Sequence, residues 1–178
     1  MKRITIKDKT FETSMPEAEI KNRVKELAQQ MSRDLEGKNP LLLAVLNGAF
    51  IFAADLMREM TIPCEISFVK LASYQGTIST GKVKEVIGIN EDLTGRTIII
   101  VEDIVDTGRS MSRLVRQLRT LPIAGFSLCA LIDKHERREC TVVLDYSCFQ
   151  INAGFLVGYG LDYAEKFRHL PGIYELTR

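Results

Sequence analysis

This sequence of 178 residues has little of several features that mark whole classes of protein. It has only two histidines, and its four cysteines form no C-x-x-C pair, so a zinc site has little support. The 24 basic residues nearly balance the 23 acidic ones, which leaves no strong positive charge to attract nucleic acid. No apolar run approaches a membrane span, and the first residues lack the apolar core of a signal peptide. We therefore expect a cytoplasmic protein.

The composition is that of an ordinary globular protein. Hydrophobic residues make up 46% of the chain and charged residues 26%. A length of 178 residues suits one domain with a sizeable core, and no repeat, low-complexity tract or linker divides it. We predict a single domain over residues 1–178. The cysteines, two of them inside apolar runs, are expected to be buried, reduced thiols.

Apolar runs bounded by turn residues predict the strands. Residues 98–101 form a β-branched run without polar alternation, which suits a central strand of a parallel sheet buried on both faces. Further strands are predicted at residues 41–46, 64–71 and 125–132, with a weaker candidate at 83–89.

Helical spacing of apolar residues predicts the helices. The first is expected over residues 14–35, where apolar side chains trace one stripe that should face the core. Ser14 and Glu17 have the spacing of a capping box, with a proline between them in the first turn. Similar spacing follows residue 50 and again residue 110, so a helix is predicted after each of these points.

The stretch after the central strand joins acidic residues to a turn that suits phosphate. Its acidic, basic, hydroxyl-bearing and small residues are Glu102, Asp103, Asp106, Thr107, Gly108, Arg109 and Ser110. Free backbone N–H groups and the dipole at the following helix N-terminus attract a phosphate, and glycine lets the backbone approach it closely. Hard cations such as Mg²⁺ take oxygen ligands and share them with substrate phosphates. The stretch therefore predicts a site for a sugar phosphate carried with a divalent cation.

A simpler interpretation makes Asp106 a helix cap, and Glu102 with Asp103 a solvated strand end. The order of residues outweighs it. Residues 101–110, Val-Glu-Asp-Ile-Val-Asp-Thr-Gly-Arg-Ser, closely resemble the phosphoribosyl diphosphate (PRPP) signature of the type I phosphoribosyltransferases. The resemblance implies that the paired acids hold the ribose hydroxyls and the magnesium environment. It also implies that the turn at 107–110 holds the 5′-phosphate.

The same resemblance indicates the branch of the family that acts on 6-oxopurines. It implies that Asp106 is a general base exchanging a proton with N7 of the purine. Lys134, just past the strand at 125–132, is otherwise a solvated surface charge. By resemblance it donates to O6 of the purine, an acceptor that adenine lacks. The charged run at 135–139 that follows is predicted to be a solvated connection.

A second stretch, far away in the sequence, agrees. Taken alone, residues 154–163 read as a glycine-interrupted strand with core aromatics, but they resemble the Val-Gly-Tyr-x-Leu-Asp-Tyr stretch of the 6-oxopurine enzymes. The resemblance implies that Phe155 stacks on the purine and that Leu156 presents backbone groups to its edge. It places Asp162 beside the purine and near a second magnesium, and it implies that Arg168 reaches pyrophosphate.

Two loops complete the expected site. Asn47 and Gly48 lie where the resembling family binds pyrophosphate, partly through backbone amides. Many relatives carry lysine or arginine where this chain has Asn47, a departure that removes a fixed charge and leaves the backbone contact. Residues 72–82 are polar and glycine-bearing, which is typical of a surface loop. By resemblance they form the catalytic loop that closes over PRPP, with Ser73 and Tyr74 at the matching place.

The resemblance implies an α/β fold, a mostly parallel sheet flanked by helices, with a small hood built from segments near the termini. It implies transfer of phosphoribose from PRPP to hypoxanthine or guanine with Mg²⁺, whose candidate ligands are Glu102, Asp103 and Asp162. A homodimer or homotetramer is expected, with no nucleic-acid or membrane partner. One alternative is a regulatory relative that senses nucleotide and binds nucleic acid. Another is a nucleotide-binding protein without transfer activity.

Overall fold

Nine strands and three helices are formed in the computed structural model, which describes residues 3–6, 9–71 and 91–177. In chain order they are β1 (Arg3–Ile6), β2 (Lys9–Met15), α1 (Glu17–Asp34), β3 (Leu41–Leu46), α2 (Phe50–Glu59), β4 (Glu65–Lys70), β5 (Thr97–Val105), α3 (Arg109–Leu118), β6 (Gly125–Lys134), β7 (Tyr146–Ile151), β8 (Leu156–Val157) and β9 (Ile173–Leu176). The predicted loop at 72–82 and the weaker strand candidate at 83–89 lie outside the described residues.

The larger sheet has five parallel strands in the order β4-β3-β5-β6-β7, so the predicted central strand is confirmed. Successive side chains of β5 point to opposite faces. Ile99 packs in a core shared with α1 and α2, whereas Ile98 and Ile100 pack in a second core shared with α3. Helices therefore cover both faces of β5, which explains why consecutive residues 98–101 are all apolar.

Helix α1 has the predicted apolar stripe, but its predicted start was wrong. Ser14 belongs to β2, and Pro16 is the N-cap residue, with no side-chain hydrogen bond capping the helix. Strand β2 instead pairs antiparallel with β9, where Met15 lies opposite Ile173. Pairing with a distant strand holds these residues extended, so the local capping-box spacing of Ser14 and Glu17 is not used.

The smaller sheet is antiparallel, in the order β1-β2-β9-β8, and it combines both ends of the described chain. It confirms the predicted hood. Phe11 and Val157 lie in its own apolar cluster and are fully buried. The predicted glycine-interrupted strand after residue 154 is short, because Gly158 and Gly160 both have φ of +99° and turn the chain after β8.

The four cysteines are free, as expected, although only Cys129 and Cys148 are buried. Burial raises the pKa of Cys148 to about 12, so its thiol stays protonated near neutral pH. Among the helices of the described residues, none combines the length and apolar character that crossing a membrane requires.

Candidate active site

The carboxyl end of β5 carries two adjacent acids in a water-poor position. Glu102 is buried, and Asp103 is half-buried beside it. The backbone N–H of Asp103 donates to Glu102 Oε1 at 3.2 Å, and the N–H of Ile104 donates to Asp103 Oδ1 at 2.7 Å. Burial raises the pKa of Glu102 well above its usual range, and the charge of Asp103 adds to the effect. A cation or hydroxyl donors beside this pair would stabilise the charged form.

These acids suit Mg²⁺ as oxygen donors, but they do not enclose it. No group of three or more histidine, cysteine, aspartate or glutamate side chains is arranged to hold a metal within 3–6, 9–71 and 91–177. Magnesium commonly binds through one or two carboxylates and takes its other ligands from substrate phosphates and water. Glu102 and Asp103 fit that pattern.

The turn from β5 into α3 contains the residues that were predicted to bind phosphate. Gly108 is the N-cap residue of α3 and has φ of +80°, a conformation that favours glycine. The N–H of Arg109 donates to Thr107 Oγ1 at 3.4 Å, and no side chain caps the helix. The alternative in which Asp106 caps α3 was therefore wrong. A cleft of about 150 Å³ opens beside the turn and is lined by Glu102, residues 104–108, Ser110 and Met111.

Asp106 and Lys134 face each other from neighbouring strand ends. Lys134 Nζ lies 3.4 Å from Asp106 Oδ2, and Lys134 is only 7% exposed. Lys134 is the final residue of β6, not a residue beyond it, so the surface-charge alternative was wrong. Asp106 Oδ1 is buried without a hydrogen-bond partner in the described part of the chain. This oxygen is therefore available to accept a hydrogen bond from a ligand, beside the cation of Lys134.

The turn from β3 into α2 reaches the acids of β5. A Cβ added to Gly48 would lie 1.6 Å from Asp103 Oδ2, so only glycine allows this approach. A Cβ added to Gly160 would lie 2.1 Å from the carbonyl oxygen of Gly48. The peptide bond between Leu46 and Asn47 is cis. The predicted pyrophosphate loop therefore lies between Asp103 and the turn after β8.

Arg168 contacts both Asp162 and the backbone of Gly160, the glycine that lies against Gly48. Arg168 Nη1 donates to the Gly160 carbonyl at 2.7 Å, and Arg168 Nη2 lies 2.9 Å from Asp162 Oδ1. The hydroxyl of Tyr159 donates to Asp55 Oδ2 at 2.7 Å and anchors this turn to α2. Burial and this hydrogen bond raise the pKa of Tyr159. The contact between Tyr159 and Asp55 was not predicted from the sequence.

Phe155 lies in the hood. Its ring centroid is 6.2 Å from that of Phe11 and 5.7 Å from that of Tyr163, and Lys9 Nζ lies 5.9 Å from the Phe155 centroid. Phe155 is 44% exposed, which leaves ring surface for stacking, while Leu156 beside it is buried in β8. Asp106 and Lys134 lie at the carboxyl end of the larger sheet, whereas Phe155 and Leu156 lie in the smaller one. The residues predicted to bind the purine therefore come from both sheets.

Two further predictions concern the catalytic loop and the charged run at 135–139. Ser73 and Tyr74 lie outside the described residues. The run at 135–139 is largely exposed, as predicted, except for Arg138, whose side chain is 18% exposed and contacts the ends of β5 and β6. Sequence reasoning missed Arg138. Its one sequence signal is the nearby Asp133, a carboxylate within a buried strand that needs a cationic partner.

Comparison with known proteins gives consistent matches. The family described as "Phosphoribosyl transferase domain" matches residues 16–164. The hypoxanthine phosphoribosyltransferase of Salmonella typhimurium is 40% identical over 165 residues, which cover 91% of this chain and 93% of that protein. The enzyme of the same name from Escherichia coli is 40% identical over 167 residues, covering 92% and 94%. A solved hypoxanthine-guanine phosphoribosyltransferase of Bacillus anthracis is 38% identical, with a TM-score of 0.83 over 98% of this chain and 100% of that one.

Proposed function

Because the chain belongs to the phosphoribosyl transferase family, we propose the following reaction for it. It transfers the 5-phosphoribosyl group of PRPP to N9 of a 6-oxopurine, giving a purine nucleoside monophosphate and pyrophosphate. The proposed purine substrates are hypoxanthine and guanine. The single observation that best supports this function is the contact of Lys134 with Asp106 at the end of the large sheet. It sets a cationic donor beside a proton acceptor, which matches O6 and N7 of a 6-oxopurine.

The residues of the large sheet hold PRPP. The N–H groups at the start of α3, with the Thr107 and Ser110 hydroxyls, bind the 5′-phosphate. Gly108 permits close approach of the backbone, and Arg109 adds positive charge at the same turn. Glu102 and Asp103 accept hydrogen bonds from the ribose hydroxyls, which offsets the unfavourable burial of their charge.

The leaving group lies against the turn into α2. Backbone amides at Asn47 and Gly48 donate to pyrophosphate, while Arg168 neutralises its charge. Glu102 and Asp103 would hold one Mg²⁺ and Asp162 a second, and the metal when bound would supply further charge neutralisation to the leaving pyrophosphate. The ion pair of Arg168 with Asp162 keeps the guanidinium oriented beside the Gly160 carbonyl.

Asp106 carries the proton transfer. N9 of the purine attacks the anomeric carbon as the bond to pyrophosphate breaks, and the proton on N7 passes to Asp106 as general base. Lys134 donates a hydrogen bond to O6. Phe155 stacks on the purine ring, and the backbone of Leu156 meets the purine edge on the side of Asp162. The proposed catalytic role of Ser73 and Tyr74, which lie outside the described residues, rests on the resemblance alone.

The protein works in the cytoplasm as one domain per chain, in a homodimer or homotetramer. These assignments rest on the family and on the composition of the chain. The mass of the native protein in solution tests the oligomeric state, and fractionation of the source cells tests the location.

The function is tested by nucleotide formation from PRPP with hypoxanthine, guanine, xanthine, adenine and uracil, compared side by side with Mg²⁺ and without metal. Metal-dependent turnover of the 6-oxopurines alone is the expected result. Turnover of adenine or uracil would overturn the roles given to Asp106 and Lys134. No turnover with any base would favour the regulatory alternative.

A further inference from the structure

Arg138 contacts the ends of β5 and β6, next to Asp106 and Lys134, the two residues proposed to recognise the purine. Its Nε donates to the Asp106 carbonyl at 2.9 Å, and its Nη2 donates to the Val105 carbonyl at 3.0 Å. The same Nη2 lies 3.1 Å from the Lys134 carbonyl and 2.5 Å from Asp133 Oδ1. One guanidinium thus meets three backbone carbonyls and one carboxylate.

The strand pairing itself does not extend to Asp106. The register of β5 with β6 ends where Val105 lies opposite Asp133. Asp106 follows that point, and Lys134 is paired on its other side, with Ile151 of β7. Within the described residues, Asp106 contacts Lys134, Arg137 at 3.7 Å and Arg138 on the β6 side. Arg138 is the one of these that binds main-chain atoms of both strand ends, and main-chain contacts set where the side chains begin.

The arginine is itself held in place from two directions. Asp133 is buried, so its carboxylate gains from a charged partner and orients the guanidinium. The loop carrying Arg138 is fixed by the N–H groups of Glu139 and Cys140, which donate to the Thr107 carbonyl at 2.9 and 3.0 Å. A Cβ added to Gly108 would lie 3.2 Å from Arg138 Cδ, so the arginine stem packs against the phosphate turn.

From this geometry we propose that Arg138 is a positioning residue that sets the separation of Asp106 and Lys134. It thereby determines how strongly the site prefers a 6-oxopurine over a 6-aminopurine. The inference rests on the proposed function. Only arginine suits the position, because its planar fork of N–H donors reaches several acceptors at once, whereas a lysine ammonium is a point charge.

The test compares Arg138→Lys with the matched control Arg119→Lys, since Arg119 is exposed at the end of α3. Steady-state kcat and KM are measured for hypoxanthine, adenine and PRPP. Arg138→Lys is expected to lower kcat/KM for hypoxanthine roughly 10- to 100-fold, the scale of an ångström misplacement in a reactive site. The hypoxanthine-to-adenine ratio should fall, while KM for PRPP changes much less, because the Glu139 and Cys140 bonds to Thr107 remain.

Two further variants separate positioning from general destabilisation. Asp133→Asn keeps the guanidinium but weakens its orientation, and it should lower the same ratio by a smaller factor. Arg138→Ala should regain activity with hypoxanthine when guanidinium is added at millimolar concentration, and the Arg119→Lys control should show no such gain. Thermal unfolding of each variant establishes that it is folded.

An unchanged hypoxanthine-to-adenine ratio in both Arg138→Lys and Asp133→Asn would overturn the inference while leaving the proposed function intact. If the wild-type protein shows no turnover with hypoxanthine, the result is different, because the proposed function fails and the inference fails with it.

Discussion

The turn from β3 into α2 and the turn from β5 into α3 each place a glycine where a parallel strand gives way to a helix. At the second turn, Gly108 has φ of +80° and serves as the N-cap of α3. At the first, Gly48 is not left-handed, and its lack of a side chain matters because Asp103 lies where a Cβ would be. Gly108 is favoured by its own left-handed backbone as well as by close neighbours, whereas Gly48 is required only by a residue on a neighbouring strand.

This difference explains how each turn relates to the sequence. The Thr107–Ser110 turn is specified by consecutive residues, so it can be recognised in isolation. The turn at Asn47 and Gly48 depends on Asp103 and Gly160, which are distant along the chain. Its glycine looks like ordinary turn punctuation until the fold brings those residues together.

The largest expected effect concerns Asp106, a proton acceptor in the turn from β5 into α3. The turn from β3 into α2 has no such residue. Asp106→Asn keeps the shape of the turn but removes the base, so kcat should fall by about 10²- to 10⁴-fold with little change in purine KM. Steady-state kinetics with hypoxanthine measures this. Unchanged turnover would remove Asp106 from the role of general base.

The next effect tests the contact at the first turn. Gly48→Ala places a methyl group on Asp103 Oδ2, and Asp103 must move although its other oxygen accepts the Ile104 N–H. We expect kcat/KM to fall roughly 100-fold. Gly125→Ala is the matched control, because nothing lies within 4 Å of the added Cβ there. Equal activities of the two variants would contradict the proposed closeness of Gly48 and Asp103.

A smaller effect separates backbone strain from contact at the second turn. Gly108→Ala combines a left-handed conformation with a Cβ 2.8 Å from the Cys140 carbonyl. Gly95→Ala has a similar φ of +69° but meets nothing within 4 Å. Strain alone should cost about 1–2 kcal/mol of unfolding free energy, and Gly108→Ala should cost more. Denaturant unfolding of both variants measures the difference, and a larger cost at Gly95 would reverse the interpretation.

The smallest effect concerns the Asn47 side chain. If pyrophosphate is bound by backbone amides at the first turn, Asn47→Ala should change KM for PRPP less than about threefold, the effect of losing at most one weak neutral hydrogen bond. Gly48→Ala in the same assay provides the contrast. A rise in KM of more than tenfold for Asn47→Ala would show that the side chain, not the backbone, makes the contact.

Elements with strong local patterns were predicted well. Strand β3 runs over the predicted residues 41–46, and β5 and α3 lie where the apolar run and the helical spacing indicated. The start of α1 was mispredicted because β9, more than 150 residues away, pairs with β2 and includes Ser14 in the sheet. A local capping signal carries no information about such a distant partner.

Within the site, resemblance to a family supplied the roles of Asp106 and Lys134, and the fold brings the two side chains together. Arg138 could not be found in this way from the sequence. Three of its four partners are main-chain carbonyls, which every residue has, so their identities reveal nothing. Only the separation of the strand ends in space shows what the guanidinium connects.

The pairing of β2 with β9 also orders events during translation. The five strands of the large sheet have all been synthesised once Ile151 leaves the ribosome, whereas the hood waits for residues 173–176. A nascent chain can therefore form the phosphate-binding end first, while Phe11 of β2 remains uncovered until β9 emerges. For that interval the growing polypeptide exposes the Phe11 side chain on a strand with an open edge, a combination that favours aggregation.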